Sequence, residues 1–390
     1  MAFAAALIAF LCAGLWLGGH PGSLPGFARD AFVSEPGGLT AEAAKAIEDN
    51  YYRTVNGEEL GNASLQGMVR ELRKLHGDRF SEYFSPQSLE SFNQQIEGRF
   101  SGIGLTVIGV KAGLRVARVF PRSPADAAGI EAGDRIVSVD GEPLAGQSST
   151  EATAKIKGPE GTKVTVGVWE GKGGKLRKLT ITRAEVTLPN VSSRIEEVGG
   201  RKLGYIRLLS FSEGAHALLG NAVKKVRKEG AEGIVLDLRH NPGGLLDEAV
   251  LSAGLFLPEG EVVVTTKSRT QGASVHKTEG GTLPARPEVV LIDRGTASAA
   301  EILTAALADD GEATVVGTRS YGKGVFQEEQ GLANGGALKL TVGEYFTPDG
   351  VNLAKSHGIH PEVQAKDDPR TKADEAEERA FGVLAGLIGR

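Results

Sequence analysis

Residues 291–302 read LIDRGTASAAEI: an apolar run stops, small residues turn the chain, and a helix opens at Ala299. Ser298 sits on that turn. The N–H groups at a helix N-terminus lack partners within the helix, so they can face an oxyanion beside such a serine. Alone, the same serine is more often an ordinary helix N-cap. Working outward, strand and helix alternate from Arg201. Strands are expected at 203–208, 233–238, 289–292, 313–316 and 337–346, with helices at 216–229 and 299–308. This alternation predicts a mixed α/β core.

The second reactive candidate is Lys323 within residues 317–327, GTRSYGKGVFQ. The segment comes close to a phosphate-binding loop. However, Gly324 stands where Ser or Thr would hold magnesium, and VFQEEQ reads as extended chain rather than a helix opening, so that reading is set aside. Glycines on both sides let the lysine pack closely. A lysine starts near a pKa of about 10.4, and only dry surroundings, which disfavour the ammonium form, make it a base near neutrality. Val325, Phe326 and the small residues around Ser298 are suitable walls. Gln327 can hydrogen-bond the amine without adding a negative charge that would keep it protonated.

Upstream, residues 119–143 read VFPRSPADAAGIEAGDRIVSVDGEP. Ser123-Pro124 opens a short helix that Gly129 ends, Gly133-Asp134 turns into a strand, and Asp140-Gly141 makes a hairpin turn. Further strands are expected at 105–110, 114–119, 163–169 and 176–183, with a helix at 149–156. This order resembles PDZ domains, whose fold is a small β-barrel with two helices. That resemblance implies capture of a protein C-terminus as an added strand. Its carboxylate would be held by backbone N–H groups of the loop Gly102, Ile103, Gly104 and Leu105. Ile103 and Leu105 would line an apolar pocket for the last side chain.

Together, T-A-S-A-x-E at Ser298, the lysine 25 positions on and Gln327 four beyond it resemble the carboxyl-terminal processing peptidases, or tail-specific proteases. Residues 235–246 (VLDLRHNPGGLL) and Gly358-Ile359-His360-Pro361 match further segments of that family. The resemblance implies Ser298 as nucleophile, Lys323 as general base and Gln327 as the residue orienting the lysine. The N–H groups of Ala299 and of Gly243 or Gly244 would form the oxyanion hole. Ala300, where a second serine is common, and Arg294 depart from the usual family form without touching a catalytic role.

The rest of the chain sets the context. The 390 residues, 41% hydrophobic, can bury a large core. A net charge of -5 with no long basic run argues against nucleic acid. Residues 1–19 form an apolar segment expected to be a membrane anchor or signal, followed by a linker at 20–38. This places the protein outside the cytoplasm, in the cell envelope or periplasm, anchored or secreted. Cys12 is the sole cysteine, so no disulfide forms. Helical stripes such as Leu65, Met68, Val69, Leu72 and Leu75 define an N-terminal helical region at 39–97. The PDZ domain is expected at 98–185, the peptidase core at 186–366 and a helical tail at 367–390.

The fold class is thus α/β multidomain. The expected activity is that of a serine endopeptidase with a Ser-Lys(-Gln) centre, cleaving proteins near apolar C-termini. The alternative is a non-catalytic PDZ scaffold that only binds tails. A Ser-His-Asp centre using His357 or His360 is a further rival. No metal or cofactor is expected: His357-x-x-His360 lacks the zinc-peptidase helix pattern. Ser274-Val-His-Lys277 has none of the partner motifs of penicillin-binding proteins. A homodimer or an adaptor protein is the remaining partner expectation.

Overall fold

The computed structural model describes residues 36–388 except 148, 172–173, 188–189, 281–282, 284–286 and 369. The apolar segment 1–19, with Cys12, lies outside the described residues, as does most of the linker. No helix among the described residues is long and apolar enough to cross a membrane. The chain divides into two compact units. One holds the described residues up to Ser85 together with Gln330–Lys339, and the other holds Pro86–Glu329 with Leu340–Arg390.

The smaller unit carries helices Pro36–Asn50 and Gly57–His76. The second starts where the Asn56 side chain accepts the Glu58 N–H and ends at Gly77, whose φ of 68° suits glycine. Strand Glu82–Phe84 pairs antiparallel with residues 337–339. The Tyr83 hydroxyl donates to Asn62 Oδ1 at 2.5 Å, tying that strand to the second helix. Of the apolar stripe on this helix only Val69 is buried; Met68 and Leu75 remain exposed. The third N-terminal helix, Pro86–Ile96, opens on proline as its sequence suggests and belongs to the larger unit.

Within the larger unit the PDZ-like portion is an antiparallel sheet. Its order is Leu105–Val110, Gly113–Val119, Arg135–Val139, Lys163–Trp169, Leu176–Thr182. Its core is Ile103, Leu114, Val116, Ile136, Val164, Val166, Val168 and Ile181, with Ala152 and Ile156 of helix Ser149–Ile156 packed in. The motif residues have local reasons. Ser123 caps the helix Pro124–Ala127 by accepting the Asp126 N–H. Asp134 accepts from the Gly171 and Glu131 N–H groups and so fastens two turns. Asp140 and Gly141 both have positive φ, as a tight hairpin turn requires.

The second portion is built on a six-stranded sheet, ordered Val191–Val198, Arg201–Leu208, Gly233–Asp237, Pro287–Ile292, Thr314–Gly317, Val363–Gln364. The first pair is antiparallel and the others are parallel. Period-two alternation divides the apolar residues between the two faces. Ile206, Leu208, Ile234, Leu236, Val290 and Ile292 pack toward helices Ala215–Lys228, Leu246–Ala253 and Ala299–Asp309. Leu203, Tyr205, Val235, Val289 and Leu291 pack under helix Glu375–Ile388 through Ala380, Phe381 and Leu384. Each buried Val, Leu, Ile or Phe side chain among these contributes about 1.5–3 kcal/mol. The three loops that carry the reactive candidates leave the sheet at the carboxyl ends of parallel strands, the usual place for a site in such sheets.

Candidate active site

Ser298 is the N-cap of helix Ala299–Asp309 and is itself buried at 6% exposure. Its φ of 55° and ψ of -121° are costly for a residue with a Cβ. The turn is held in that conformation from several sides. Thr296 Oγ1 donates to Leu238 O at 2.9 Å, the Ala297 N–H to Asn241 O at 3.0 Å, and the Tyr321 N–H to Thr296 O at 2.9 Å. The nucleophile candidate therefore sits between the loops that follow strands Gly233–Asp237 and Thr314–Gly317.

Glu301, one turn into the helix, joins these loops. It is fully buried, and its two oxygens accept four hydrogen bonds. Oε2 accepts the N–H of Ser298 and the N–H of Lys323, each at 2.9 Å. Oε1 accepts the Gly322 N–H at 2.7 Å and the Ser320 hydroxyl at 2.5 Å. The backbone nitrogens of Ser298 and Lys323 hence lie no further apart than twice 2.9 Å. The chain between them is long, so this proximity is tertiary.

The glycines flanking Lys323 allow backbone to approach backbone. A Cβ on Gly322 would lie 2.8 Å from the Gly358 nitrogen, and one on Gly324 would lie 2.2 Å from the Ala354 nitrogen. Lys323 is half-buried. Strand Val325–Gly331 follows, as the extended reading of VFQEEQ anticipates. Gln327 is half-buried, with its amide nitrogen 3.4 Å from Thr341 Oγ1 and 3.5 Å from Val325 O.

Gly243 presses against the serine: a Cβ there would lie 2.8 Å from Ser298 Cβ and 2.9 Å from the Ala299 nitrogen. A Cβ on Gly244 would lie 2.3 Å from Phe211 O. Both glycines have positive φ. The Gly243 N–H donates to Asn241 Oδ1 at 2.9 Å, whereas the N–H groups of Gly244 and Ala299 have no hydrogen-bond partner among the described residues. Tyr345 completes the surroundings. Its ring is buried, and burial pushes the phenol up to about 12 while the Ser298 side chain works to lower it.

Sequence reading left Glu301 and Tyr345 without roles. A signal for Glu301 was present, since S-x-x-E is the spacing of a capping box; its carboxylate also reaches the distant lysine loop, which no local pattern reveals. Tyr345 had no local signal.

In the PDZ-like portion, Gly102 ends strand Arg99–Gly102 and Leu105 starts the edge strand Leu105–Val110. Ile103 is 1% exposed and belongs to the domain core, with Leu105 packed partly on it. The carbonyls of Ile103 and Gly104 accept the Ala125 and Phe120 N–H groups at 2.7 and 3.0 Å. Gly104 has φ 84°, and a Cβ there would collide with Ser123 Cβ at 2.2 Å, so only glycine fits.

A buried serine of positive φ at a helix N-terminus thus lies beside the lysine loop, in a chain that also carries a PDZ-like sheet. The profile of Peptidase family S41 matches residues 202–365, and that of the PDZ domain matches residues 115–170. The carboxy-terminal processing protease CtpA of Bacillus subtilis (strain 168) is 33% identical over 325 residues, covering 83% of this chain and 68% of that protein. A CtpA-like serine protease sequence of Staphylococcus aureus (strain MRSA252) is 34% identical over 82% of this chain, which spans only 62% of that relative's length. A solved S41-type protease chain from Bacteroides fragilis NCTC 9343 shares the fold, with a TM-score of 0.53 at 19% identity, covering 87% of this chain and 92% of that one. The chain belongs to the carboxy-terminal processing proteases of peptidase family S41.

Proposed function

We propose that this protein is an endopeptidase that cleaves substrate proteins near their C-termini, with Ser298 as nucleophile and Lys323 as general base. The observation that carries this reading is the shared carboxylate oxygen of Glu301, which brings the backbone of both residues to one point. In the proposed cycle the Lys323 amine, neutral at the start, takes the Ser298 hydroxyl proton as Oγ attacks the scissile carbonyl carbon. The resulting oxyanion is received by the N–H groups of Ala299 and of Gly244, the glycine whose donor Asn241 does not claim. Collapse breaks the C–N bond, and the lysine ammonium returns its proton to the leaving amine. Water then hydrolyses the acyl-enzyme by the same proton path. Gln327 orients the lysine without adding charge.

The PDZ portion supplies the choice of substrate. An apolar C-terminus would add as a strand along the edge strand Leu105–Val110, with its carboxylate on N–H groups of the 102–105 loop. The 33% identity to the carboxy-terminal processing protease CtpA of Bacillus subtilis (strain 168) supports this reading. The apolar segment 1–19 would deliver the protein to the membrane and its work to the extracytoplasmic side.

The test is mass spectrometry of products from an unstructured protein with an apolar C-terminus, with and without its last residues. Wild type is expected to cut, Ser298→Ala and Lys323→Arg not to cut, and the truncated substrate to be cut more slowly. A guanidinium cannot serve as base, so turnover by Lys323→Arg removes the lysine from the mechanism. Binding without cleavage by wild type would leave a tail-binding scaffold instead.

A further inference from the structure

The peptide unit between Gly243 and Gly244 carries one of the two donors proposed for the oxyanion, and it lies between residues of positive φ, 95° and 149°. Two glycines in succession give such a plane little resistance to rotation. The structure pins it nonetheless. The Phe211 N–H donates to Gly243 O at 2.9 Å, and in a trans peptide the N–H points opposite to the C=O. The Gly244 N–H is therefore turned away from Phe211 and is left without a partner among the described residues. One position earlier, Asn241 Oδ1 accepts the Gly243 N–H at 2.9 Å. Asn241 is completely buried, and the other end of its amide is also engaged, with Nδ2 donating to Leu208 O at 3.0 Å at the end of strand Arg201–Leu208. Its main-chain carbonyl accepts the Ala297 N–H at 3.0 Å, two residues before Ala299, which bears the second donor.

We propose that Asn241 is a positioning residue for the oxyanion hole: its side chain engages the Gly243 N–H and its carbonyl holds the serine turn, so that the N–H groups of Gly244 and Ala299 serve one oxygen. This rests on the reading of Ser298 as nucleophile given above. Asn241 touches no reacting atom and exchanges no proton. Its effect is to fix two donors before charge develops, and donors set in advance stabilise an oxyanion without reorganising as it forms. The role calls for a neutral amide. A carboxylate would accept from Gly243 equally well, but it could not donate to Leu208 O, and its charge would oppose the oxyanion. Loss of Asn241 should accordingly weaken the transition state and spare the binding of substrate.

The experiment compares wild type, Asn241→Ala and Ser298→Ala in the full chain, each assayed well below its own Tm. It measures kcat and KM with one peptide substrate. It also measures affinity for a peptide aldehyde, whose adduct with a serine places an oxyanion in the hole, and for the matching peptide alcohol, which forms no adduct. In Asn241→Ala, kcat is expected to fall roughly 100-fold, the scale of losing one preorganised donor, with KM within about twofold. The aldehyde should weaken by a similar factor and the alcohol should bind as before. Wild-type kcat in Asn241→Ala overturns the proposal, as does equal weakening of aldehyde and alcohol, the mark of a merely structural role. A dead Ser298→Ala beside an unimpaired Asn241→Ala sinks the asparagine's role alone, whereas turnover by Ser298→Ala sinks the nucleophile reading and the proposal with it. Residue-resolved hydrogen exchange on wild type serves even where Asn241→Ala fails to fold. The Gly243 amide should exchange slowly with or without the aldehyde, and the Gly244 amide rapidly until the aldehyde protects it. Protection that appears at Gly243 instead of Gly244 overturns the proposal.

Discussion

Two carboxylates in the core, Glu301 and Asp237, are both fully buried and both collect several hydrogen bonds, yet they are satisfied in different ways. Asp237 accepts from the Tyr205 hydroxyl at 2.5 Å and from the guanidinium of Arg239 at 2.8 Å. Arg239 reaches on to Asp374 at 2.7 Å, so this cluster bolts the sheet to the start of the C-terminal helix. Glu301 instead accepts from three backbone N–H groups and one hydroxyl. Opposite charge suits a bolt, because ion pairs tolerate small changes of geometry. Backbone donors suit a jig, because each fixes the chain itself at one point.

Glu301→Gln should have the largest effect on activity. The amide end of glutamine faces donors instead of accepting from them, so one side of the hub is lost. A displacement of the lysine loop of about 1 Å is enough to cost roughly 100-fold in turnover. The expected result is that loss in kcat with Tm lowered by much less than for Arg239→Met. A variant that keeps wild-type turnover would erase the distinction between jig and bolt.

Arg239→Met should do the reverse. Asp237 stays buried without its cation, a change that costs about 3–5 kcal/mol and lowers Tm by about 10 °C. Turnover at low temperature should stay close to wild type. Calorimetry beside a peptide assay separates the two outcomes; a parallel fall in kcat would mean that the cluster also shapes the site.

The smallest effect concerns pH. Burial works against ionisation of Asp374, but the hydrogen bonds and charge of Arg239 prevail and hold it below the usual carboxylate value. A carboxyl depressed in the folded state stabilises the fold above its unfolded value of about 3.9 and loses that contribution as pH falls through the folded value. Asp374→Asn should therefore melt below wild type at pH 7, and the gap should close in acid. A gap independent of pH would assign the contact to packing.

Much of this organisation was legible in the sequence, because it is local. The alternation from Arg201, the PDZ turn residues and the helix opening at Ala299 are each decided within a dozen residues. The placement of Ser298 on a strand-to-helix turn was readable for the same reason. What could not be read is what the fold brings together. Strand Glu82–Phe84, in a stretch that reads only as a helix break, exists because residues 337–339 offer it a ladder. The strands Val262–Ser268 and Gly272–Lys277 lack a regular apolar–polar alternation, although the first is rich in β-branched residues. Arg239 meeting Asp374, Tyr345 meeting Gly324 and Glu301 meeting the lysine loop all join residues far apart in the chain.

The single oxygen that both reactive turns share also governs how they move. When helix Ala299–Asp309 shifts, Ser298 and the backbone of Lys323 ride with it, so breathing of the sheet leaves their spacing almost constant. Separating them requires the lysine loop to peel from both Glu301 oxygens and from Thr296 O. Such detachment requires far less of the molecule to open than global unfolding does. Catalysis should accordingly have a melting point of its own, reversible and lower than that of the fold.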